Sequence, residues 1–367
     1  MSQLFSPIEL RGLTIANRIV VAPMCQYIAE DGVMNDWHLV HLGGLSMGAG
    51  GLLITEATHV SHEGRISIGC LGLWNDAQMA AERRVLDFCR THGTAKIGIQ
   101  IAHAGRKAST HAGGNAPPLP ENDPRAWQTL APSAIAYDDG WPTPKAMDAA
   151  DLTQVKEQFV ESTRRAETLG FDLAQLHLAH GYLLHQFLSP LSNQRDDQYG
   201  GSLEDRIRYP LEVFNACRAV WPENKPLGIR ISATDWVDGG WDLQQSIELA
   251  QAFKVAGCDF IDVSSGGLSP LQKITLKADY QVEFASAIRQ ATGLNTWAVG
   301  LITGAQQAER IIANGEADMI AIARAAMADP RWMQHAALTL GVRVEFPKQY
   351  IRAHPDKWPG ATTFKEK

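Results

Sequence analysis

The chain has 367 residues, of which 45% are hydrophobic and 20% are charged, a balance typical of a globular protein. Its formal net charge of −7 opposes binding to nucleic acid, whose phosphate backbone is also negative. No apolar run approaches the roughly 20 residues that span a bilayer, and the first residues lack the basic and apolar regions of a signal peptide. We therefore expect a cytoplasmic protein with neither a nucleic-acid partner nor a membrane partner.

Eight short apolar runs, rich in Val and Ile, alternate along the chain with longer segments of helical periodicity. Because the runs do not alternate cleanly between apolar and polar residues, they are typical of strands buried on both faces of a parallel sheet. The predicted strands are 18–22, 52–55, 97–101, 173–176, 227–231, 260–263, 296–299 and 319–322. The predicted helices are 35–47, 76–90, 151–169, 203–220, 243–256, 279–292, 304–314 and 330–340.

Eight strand–helix units in a chain of this length predict an α/β fold, a closed (β/α)8 barrel of the TIM type that forms a single domain over residues 1–367. A doubly wound open sheet is the alternative. That sheet would need a Gly-rich GxGxxG turn after its first strand, where this chain has Pro23, Met24 and Cys25.

Two segments interrupt the alternation. Residues 104–147 lie between the third strand and its helix and are rich in Pro, Gly, Asn and Asp. A long insertion of this kind is typical of a lid or binding loop, with a disordered insertion as the alternative. Residues 341–367 form a C-terminal tail that contains Tyr350, Arg352 and Trp358.

Polar residues at the ends of the predicted strands are the candidates for chemistry, because TIM barrels place their catalytic groups there. Gln100 and Arg230 interrupt otherwise apolar strands, and either side chain would be costly to bury without a partner. A planar heterocycle with hydrogen-bonding groups would satisfy both. A structural ion pair is the alternative for Arg230.

His177 and His180 lie where the fourth strand ends, closely followed by Tyr182. Two imidazoles at this spacing could ligate a metal ion or donate hydrogen bonds to one oxygen atom. The sequence supplies no HExxH motif or Cys/His pair for a further ligand, and its five cysteines include no CxxC pair. We therefore favour the oxygen-binding interpretation and predict no metal.

The seventh and eighth units carry residues suited to a phosphate group. Gly300 and Gly304 follow the seventh strand, and Ala323 and Arg324 follow the eighth. Backbone N–H groups and a guanidinium favour bound phosphate, and TIM barrels often bind phosphate at these two units.

Five stretches in chain order resemble the Old Yellow Enzyme family, and within it the thermophilic-like branch of YqjM-type and xenobiotic-reductase-type enzymes. They are APMCQY at 22–27, QIAHAGRK at 100–107, HLAHGY at 177–182, FLSPLSNQR at 187–195 and YGGS at 199–202. The resemblance covers nearly the whole chain. It implies a TIM barrel with tightly but non-covalently bound FMN.

The implied activity is ene reduction, in which NADPH or NADH reduces the flavin and an activated C=C bond then takes the hydride. The substrates would be α,β-unsaturated carbonyl compounds and also nitro compounds. His177 and His180 would bind the substrate oxygen, Tyr182 would donate a proton, and Tyr27 would close the pocket. The implied flavin contacts are Pro23, Met24, Cys25, Ala57, Gln100, Arg230, Gly300, Ala323 and Arg324.

The tail adds an implied partner. Arg352 resembles the C-terminal arginine with which this branch reaches into a neighbouring subunit's active site, so the resemblance implies a homo-oligomer, either a dimer or a tetramer. The chain departs from the family pattern at Ala323, where glycine is usual.

Four alternatives remain open. Three are a dienoyl-CoA-reductase-like enzyme, a tRNA dihydrouridine synthase, and a xenobiotic or nitro-ester reductase. The fourth is a flavin-binding barrel without activity. The first would add further domains and clustered cysteines, and the second a basic extension that binds RNA. The inactive barrel would have lost Cys25, His177, His180 or Tyr182, all of which are present.

Overall fold

A computed structural model describes residues 2–363 and contains a closed barrel of eight parallel strands. Eight of the described strands form the barrel, and the other four form two separate pairs, β1–β2 and β6–β7. The described strands are β1 (Ile8–Leu10), β2 (Leu13–Ile15), β3 (Ile19–Val21), β4 (Leu52–His59), β5 (Lys96–Ala102), β6 (Leu130–Ala131), β7 (Lys145–Ala146), β8 (Leu173–Leu178), β9 (Leu227–Ser232), β10 (Phe260–Ser264), β11 (Asn295–Val299) and β12 (Met319–Ile322). Around the barrel the order is β3, β4, β5, β8, β9, β10, β11, β12 and back to β3. The predicted (β/α)8 barrel is confirmed, and the open sheet is wrong.

Helices connect successive strands of the barrel, and none of the described helices is both long and apolar enough to cross a membrane. They are α1 (Asp36–Ala49), α2 (Asp76–His92), α3 (Ala149–Thr168), α4 (Leu183–Leu188), α5 (Leu203–Val220), α6 (Leu243–Val255), α7 (Val282–Thr292), α8 (Ala305–Ala313), α9 (Arg324–Ala328) and α10 (Trp332–Thr339). The predicted helix 279–292 begins three residues late. Asp279 has a left-handed φ of 63°, which ends the helical path there.

The barrel interior is closed at its N-terminal end by an apolar cluster. Phe260 and Trp297 stack there with ring centroids 4.0 Å apart, and the β1–β2 hairpin packs beneath them. Gly228 is needed on the neighbouring strand, because a Cβ atom at that position would lie 2.5 Å from the ring of Phe260. The N-terminal half of the barrel is therefore filled, and a ligand has room only at the C-terminal mouth.

Strand β4 extends four residues beyond the predicted segment 52–55. Its pairing with β5 shifts register between Ile54 and Ala57, which places Ala57 opposite Gln100. The irregularity carries Ala57, a predicted flavin contact, to the barrel mouth.

The insertion 104–147 is ordered, so the disordered alternative is wrong. It contains a 3-10 helix (Gly105–Lys107) and the parallel pair β6–β7. Arg106 is 3% exposed and donates to the backbone oxygens of Ile135, Ala136 and Leu268. Because Leu268 follows β10, these bonds fix the insertion over the barrel mouth. Its role as a lid stays a prediction.

The C-terminal tail packs against α10, with the guanidinium of Arg331 5.0 Å from the ring centroid of Tyr350. Two further 3-10 helices follow, Lys348–Ala353 and Pro359–Thr363. Residue 1 and residues 364–367, the last part of the predicted tail, lie outside the described residues.

A fully buried carboxylate joins α4 to the loop after β9. One oxygen of Asp235 accepts from the hydroxyl of Ser189 at 2.6 Å and from the backbone N–H of Trp241 at 2.8 Å, and the other lies 3.0 Å from Nε2 of His185. Burial raises the pKa of Asp235, but these partners outweigh it and hold the pKa below its usual value.

We predict that Asp235→Ala lowers the free energy of unfolding by about 3–5 kcal/mol, because it removes one member of a buried charged network. Since the folded pKa is depressed, the contribution is present above about pH 4 and is lost as the pH falls through the folded pKa. Urea denaturation at pH 7 measures the effect. Asp238→Ala, in the same loop but exposed, is the control, and equal stabilities of the two variants would contradict the prediction.

Candidate active site

Three aromatic side chains predicted to act on substrate meet at the barrel mouth. The ring centroid of His177 lies 5.2 Å from that of His180 and 5.2 Å from that of Tyr182, with the ring planes steeply inclined. His177 pairs in register with Arg230 on β9. The structure thus brings the predicted histidine pair close to Arg230, one of the two residues predicted to bind a planar heterocycle.

His180 is held in place by its backbone and by its ring. It has a left-handed φ of 59°, which is uncommon for residues other than glycine, although histidine adopts it more often than most. Its N–H donates to the hydroxyl of Ser232 at 2.9 Å, and its carbonyl accepts from Nζ of Lys107 at 2.9 Å. Its ring Nε2 lies 2.8 Å from the hydroxyl of Ser264. Three contacts from three segments therefore maintain a backbone conformation that the residue alone disfavours.

Both imidazoles are neutral at neutral pH. Burial lowers the pKa of His177 well below its usual value, and the nearby His180 and Arg230 lower it further. Burial and Arg230 have the same effect on His180. Nδ1 of His177 is buried without a hydrogen-bond partner among the described residues. Neutral imidazoles have one N–H each and can donate to an oxygen without needing a counter-ion.

Tyr182 keeps its proton over the ordinary pH range. Burial raises the pKa of its hydroxyl well above the usual value, and the neighbouring Cys25 and Tyr27 raise it further. Burial likewise raises the pKa of the Cys25 thiol well above its usual value, and the nearby Cys70 and Glu56 raise it further. The residue at position 25 is therefore a thiol rather than a thiolate. Cys25, Tyr27 and Tyr182 pack against one small apolar cluster at the mouth.

A chain of polar contacts crosses four adjacent strands beneath these groups. Nε2 of Gln100 donates to Oε1 of Gln175 at 2.7 Å, and Nε2 of Gln175 donates to Oδ2 of Asp262 at 3.3 Å. Nε of Arg230 lies 3.1 Å from the same carboxylate oxygen. The ion pair considered for Arg230 is therefore present, and Arg230 lies at the mouth as well. Gln175 and Asp262 were not predicted, although each is a polar residue in an apolar strand.

The predicted phosphate residues lie together where β11 and β12 end. Gly300 has a φ of 107°, and a Cβ atom there would lie 2.4 Å from Nε2 of Gln281. Ala323 has a φ of −118° and a ψ of −86°, so its φ lies outside the left-handed region that would favour the glycine usual at this position. Burial raises the pKa of Tyr280 while Arg324 opposes the rise, which indicates that this exposed guanidinium is close to Tyr280.

These features fit FMN. Oε1 of Gln100 accepts no hydrogen bond from the described part of the protein, so it is available to a ligand N–H group. Arg324 and the tight backbone at Gly300 suit a phosphate on the opposite side of the mouth. Pro23 and Met24 are half-buried after β3, whereas Ala57 is buried. No group of three His, Cys, Asp or Glu side chains within residues 2–363 is placed to hold a metal ion.

Arg352 is the one predicted substrate residue for which the structure gives no contact with the mouth. It lies exposed on the 3-10 helix Lys348–Ala353 and makes no hydrogen bond or ion pair with another described residue. Its guanidinium is therefore available to a second molecule.

Comparison with known proteins gives relatives that span nearly the whole chain. An NADPH dehydrogenase of Geobacillus thermodenitrificans (strain NG80-2) is 42% identical over 351 residues, which cover 95% of this chain and 98% of that protein. An NADPH dehydrogenase of Listeria innocua serovar 6a is 43% identical over 355 residues, covering 96% and 99%.

Solved structures agree with these relatives. Morphinone reductase is 26% identical with a TM-score of 0.78, and the match covers 100% of this chain and 94% of that one. A 2-naphthoyl-CoA reductase complex has a TM-score of 0.81 at 20% identity and covers 93% of this chain and 52% of that one, a likeness of fold alone.

The family model described as NADH:flavin oxidoreductase / NADH oxidase matches residues 3–341. This match and the relatives confirm the resemblance to the Old Yellow Enzyme type of flavin oxidoreductase. The chain belongs to the NADH:flavin oxidoreductase / NADH oxidase family.

Proposed function

We propose that this protein is an FMN-dependent ene reductase that uses NADPH or NADH to reduce the activated C=C bond of α,β-unsaturated carbonyl compounds. The observation that carries the proposal is the pair of neutral imidazoles, His177 and His180, beside a protonated Tyr182 at the barrel mouth. The relatives named NADPH dehydrogenase favour NADPH as the hydride donor.

The proposed flavin contacts are residues at the barrel mouth. Gln100 and Arg230 would bind the polar edge of the isoalloxazine, with Pro23, Met24, Cys25 and Ala57 against the ring. Gly300, Ala323 and Arg324 would hold the phosphate. FMN held by these residues would supply the hydride chemistry of the reaction, which the protein itself cannot provide.

His177 and His180 stabilise the negative charge that develops on the carbonyl oxygen of the substrate. Two N–H donors held in fixed orientation act as an oxyanion-binding pair, and they are most effective where water is excluded. The contacts of His180 with Ser232, Ser264 and Lys107 orient its ring before substrate arrives.

Tyr182 donates the proton to the α-carbon. Its raised pKa keeps it protonated until charge develops on the substrate. Cys25 and Tyr27, packed in the same apolar cluster, would form the flavin-side wall and the outer wall of the substrate pocket.

We predict that the double variant His177→Ala/His180→Ala loses binding of phenol to the oxidised holoenzyme by at least about a hundredfold. Two hydrogen bonds to a charged oxygen account for a loss of this size. Spectral titration of the long-wavelength charge-transfer band measures it, and the flavin absorbance should remain. His92→Ala, near the end of α2, is the control. Unchanged phenol binding in the double variant would remove the proposed role.

We predict that Tyr182→Phe slows the alkene half-reaction by about 10²–10⁴-fold, the usual contribution of a general acid. Reduction of the flavin by NADPH should change less than about threefold, because it needs no proton from this residue. Anaerobic stopped-flow absorbance separates the two half-reactions, with Tyr199→Phe as the control at a distant site. Equal slowing of both half-reactions would show that the substitution disturbs the flavin instead.

We propose further that the active unit is a cytoplasmic homo-oligomer, a dimer or a tetramer, in which Arg352 reaches the substrate pocket of a neighbouring subunit. The exposed, unpaired guanidinium supports this role. The five free cysteines, four of them buried, favour a reducing compartment.

We predict that Arg352→Ala raises KM for an enone severalfold and leaves FMN binding unchanged. Mixing this variant with His177→Ala/His180→Ala under subunit exchange should restore a low-KM activity, since hybrid oligomers contain one pocket with both parts intact. Arg343→Ala, exposed in the same tail, is the control. An unchanged KM, or no gain on mixing, would contradict the trans arrangement.

A further inference from the structure

Four side chains form the row of buried polar contacts beneath the mouth, and two of them, Gln175 and Asp262, have no role in the proposed mechanism. Gln175 and Asp262 are both 0% exposed, whereas Gln100 is 2% and Arg230 is 7% exposed. All four lie on adjacent strands of the barrel, β5, β8, β9 and β10. Their contacts therefore do not depend on any loop.

Asp262, at one end of this row of polar contacts, determines which atoms donate and which accept in its hydrogen bonds. An ionised carboxylate can only accept, so Gln175 must present its amide N–H to Asp262. Its amide oxygen then faces Gln100 and must receive an N–H from that residue. The remaining oxygen of Gln100 is left for the ligand. Asp262 thus determines, through Gln175, that Gln100 offers the ligand an acceptor.

The same carboxylate affects the charge at the mouth. Oδ2 of Asp262 lies 3.1 Å from Nε of Arg230, and both side chains are removed from water. Charges interact strongly at this distance in a poorly polarisable interior. The negative charge therefore offsets part of the positive potential that Arg230 directs at a bound ring. Burial raises the pKa of Asp262, and Arg230 opposes that rise and favours the ionised form.

We propose that Asp262 is a positioning residue for the flavin, which orients the amide of Gln100 through Gln175 and lowers the reduction potential of bound FMN by balancing Arg230. The inference rests on the proposed function in requiring FMN at the mouth. Reduction adds negative charge to the flavin, so an unbalanced Arg230 would stabilise the reduced form more than the oxidised form.

The first test is the reduction potential of the Asp262→Asn holoenzyme, measured by anaerobic titration against a reference dye. We expect the ratio of affinities for reduced and oxidised FMN to rise at least about tenfold, which for a two-electron couple is a rise of about 30 mV. Asp259→Asn is a matched control, because Asp259 directly precedes β10 at its other end and pairs with Arg11. A potential equal to the wild type, or an equal shift in the control, would overturn the proposal.

The second test separates orientation from charge. Gln175→Met removes the hydrogen bonds from Gln100 and to Asp262 but keeps the ion pair between Asp262 and Arg230. We therefore expect oxidised FMN to bind about tenfold more weakly, while the reduction potential stays almost unchanged. If Asp262→Asn does not fold, Gln175→Met decides, and FMN binding within twofold of wild type overturns the proposal. A wild-type protein that binds no FMN would instead contradict the proposed function.

Discussion

The layered filling of the barrel interior is the constraint on which the rest of the structure depends. Side chains of a strand alternate between its two faces, so every second residue points into the barrel. On β10 the inward residues are Phe260, Asp262 and Ser264, and on β8 they are Leu173, Gln175 and His177. From the closed end to the mouth, these two strands therefore pass from the apolar cluster around Phe260 and Trp297 (the apolar plug) to a buried polar residue and then to a residue of the candidate site.

The polar layer is held together because hydrogen bonds link Gln100, Gln175 and Asp262, and Arg230 forms an ion pair with Asp262, although Oδ1 of Asp262 has no hydrogen-bond partner among the described residues. Each of these groups would be costly if buried alone, and removing one partner would leave another unpaired. The apolar plug below excludes water, which strengthens the electrostatic interactions above it. The same arrangement leaves a single acceptor at Gln100 and a partly balanced cation at Arg230 facing the mouth. Rigidity and chemical function thus have one structural cause.

The sequence predicted the barrel correctly, because continuous apolar runs indicate buried strands. Polar residues that interrupt or follow those runs also indicated most of the side chains that the structure brings together at the mouth. It did not reveal the β1–β2 hairpin or α4, since three-residue strands and a six-residue buried helix are too short to show a period. Gln175 and Asp262 were missed for another reason. Their meaning depends on the register between strands, which relates residues far apart in sequence.

The insertion shows why the site is more than the ends of eight strands. Nζ of Lys107 donates to the carbonyls of His180 and Gly267, so a residue of the insertion joins the loops after β8 and β10. Burial, with the nearby Arg106, lowers the pKa of Lys107 to about 7. The neutral amine still has two N–H groups for two carbonyls, so both protonation states can hold His180. The left-handed conformation of His180 is therefore maintained across neutral pH, although the charge beside it changes.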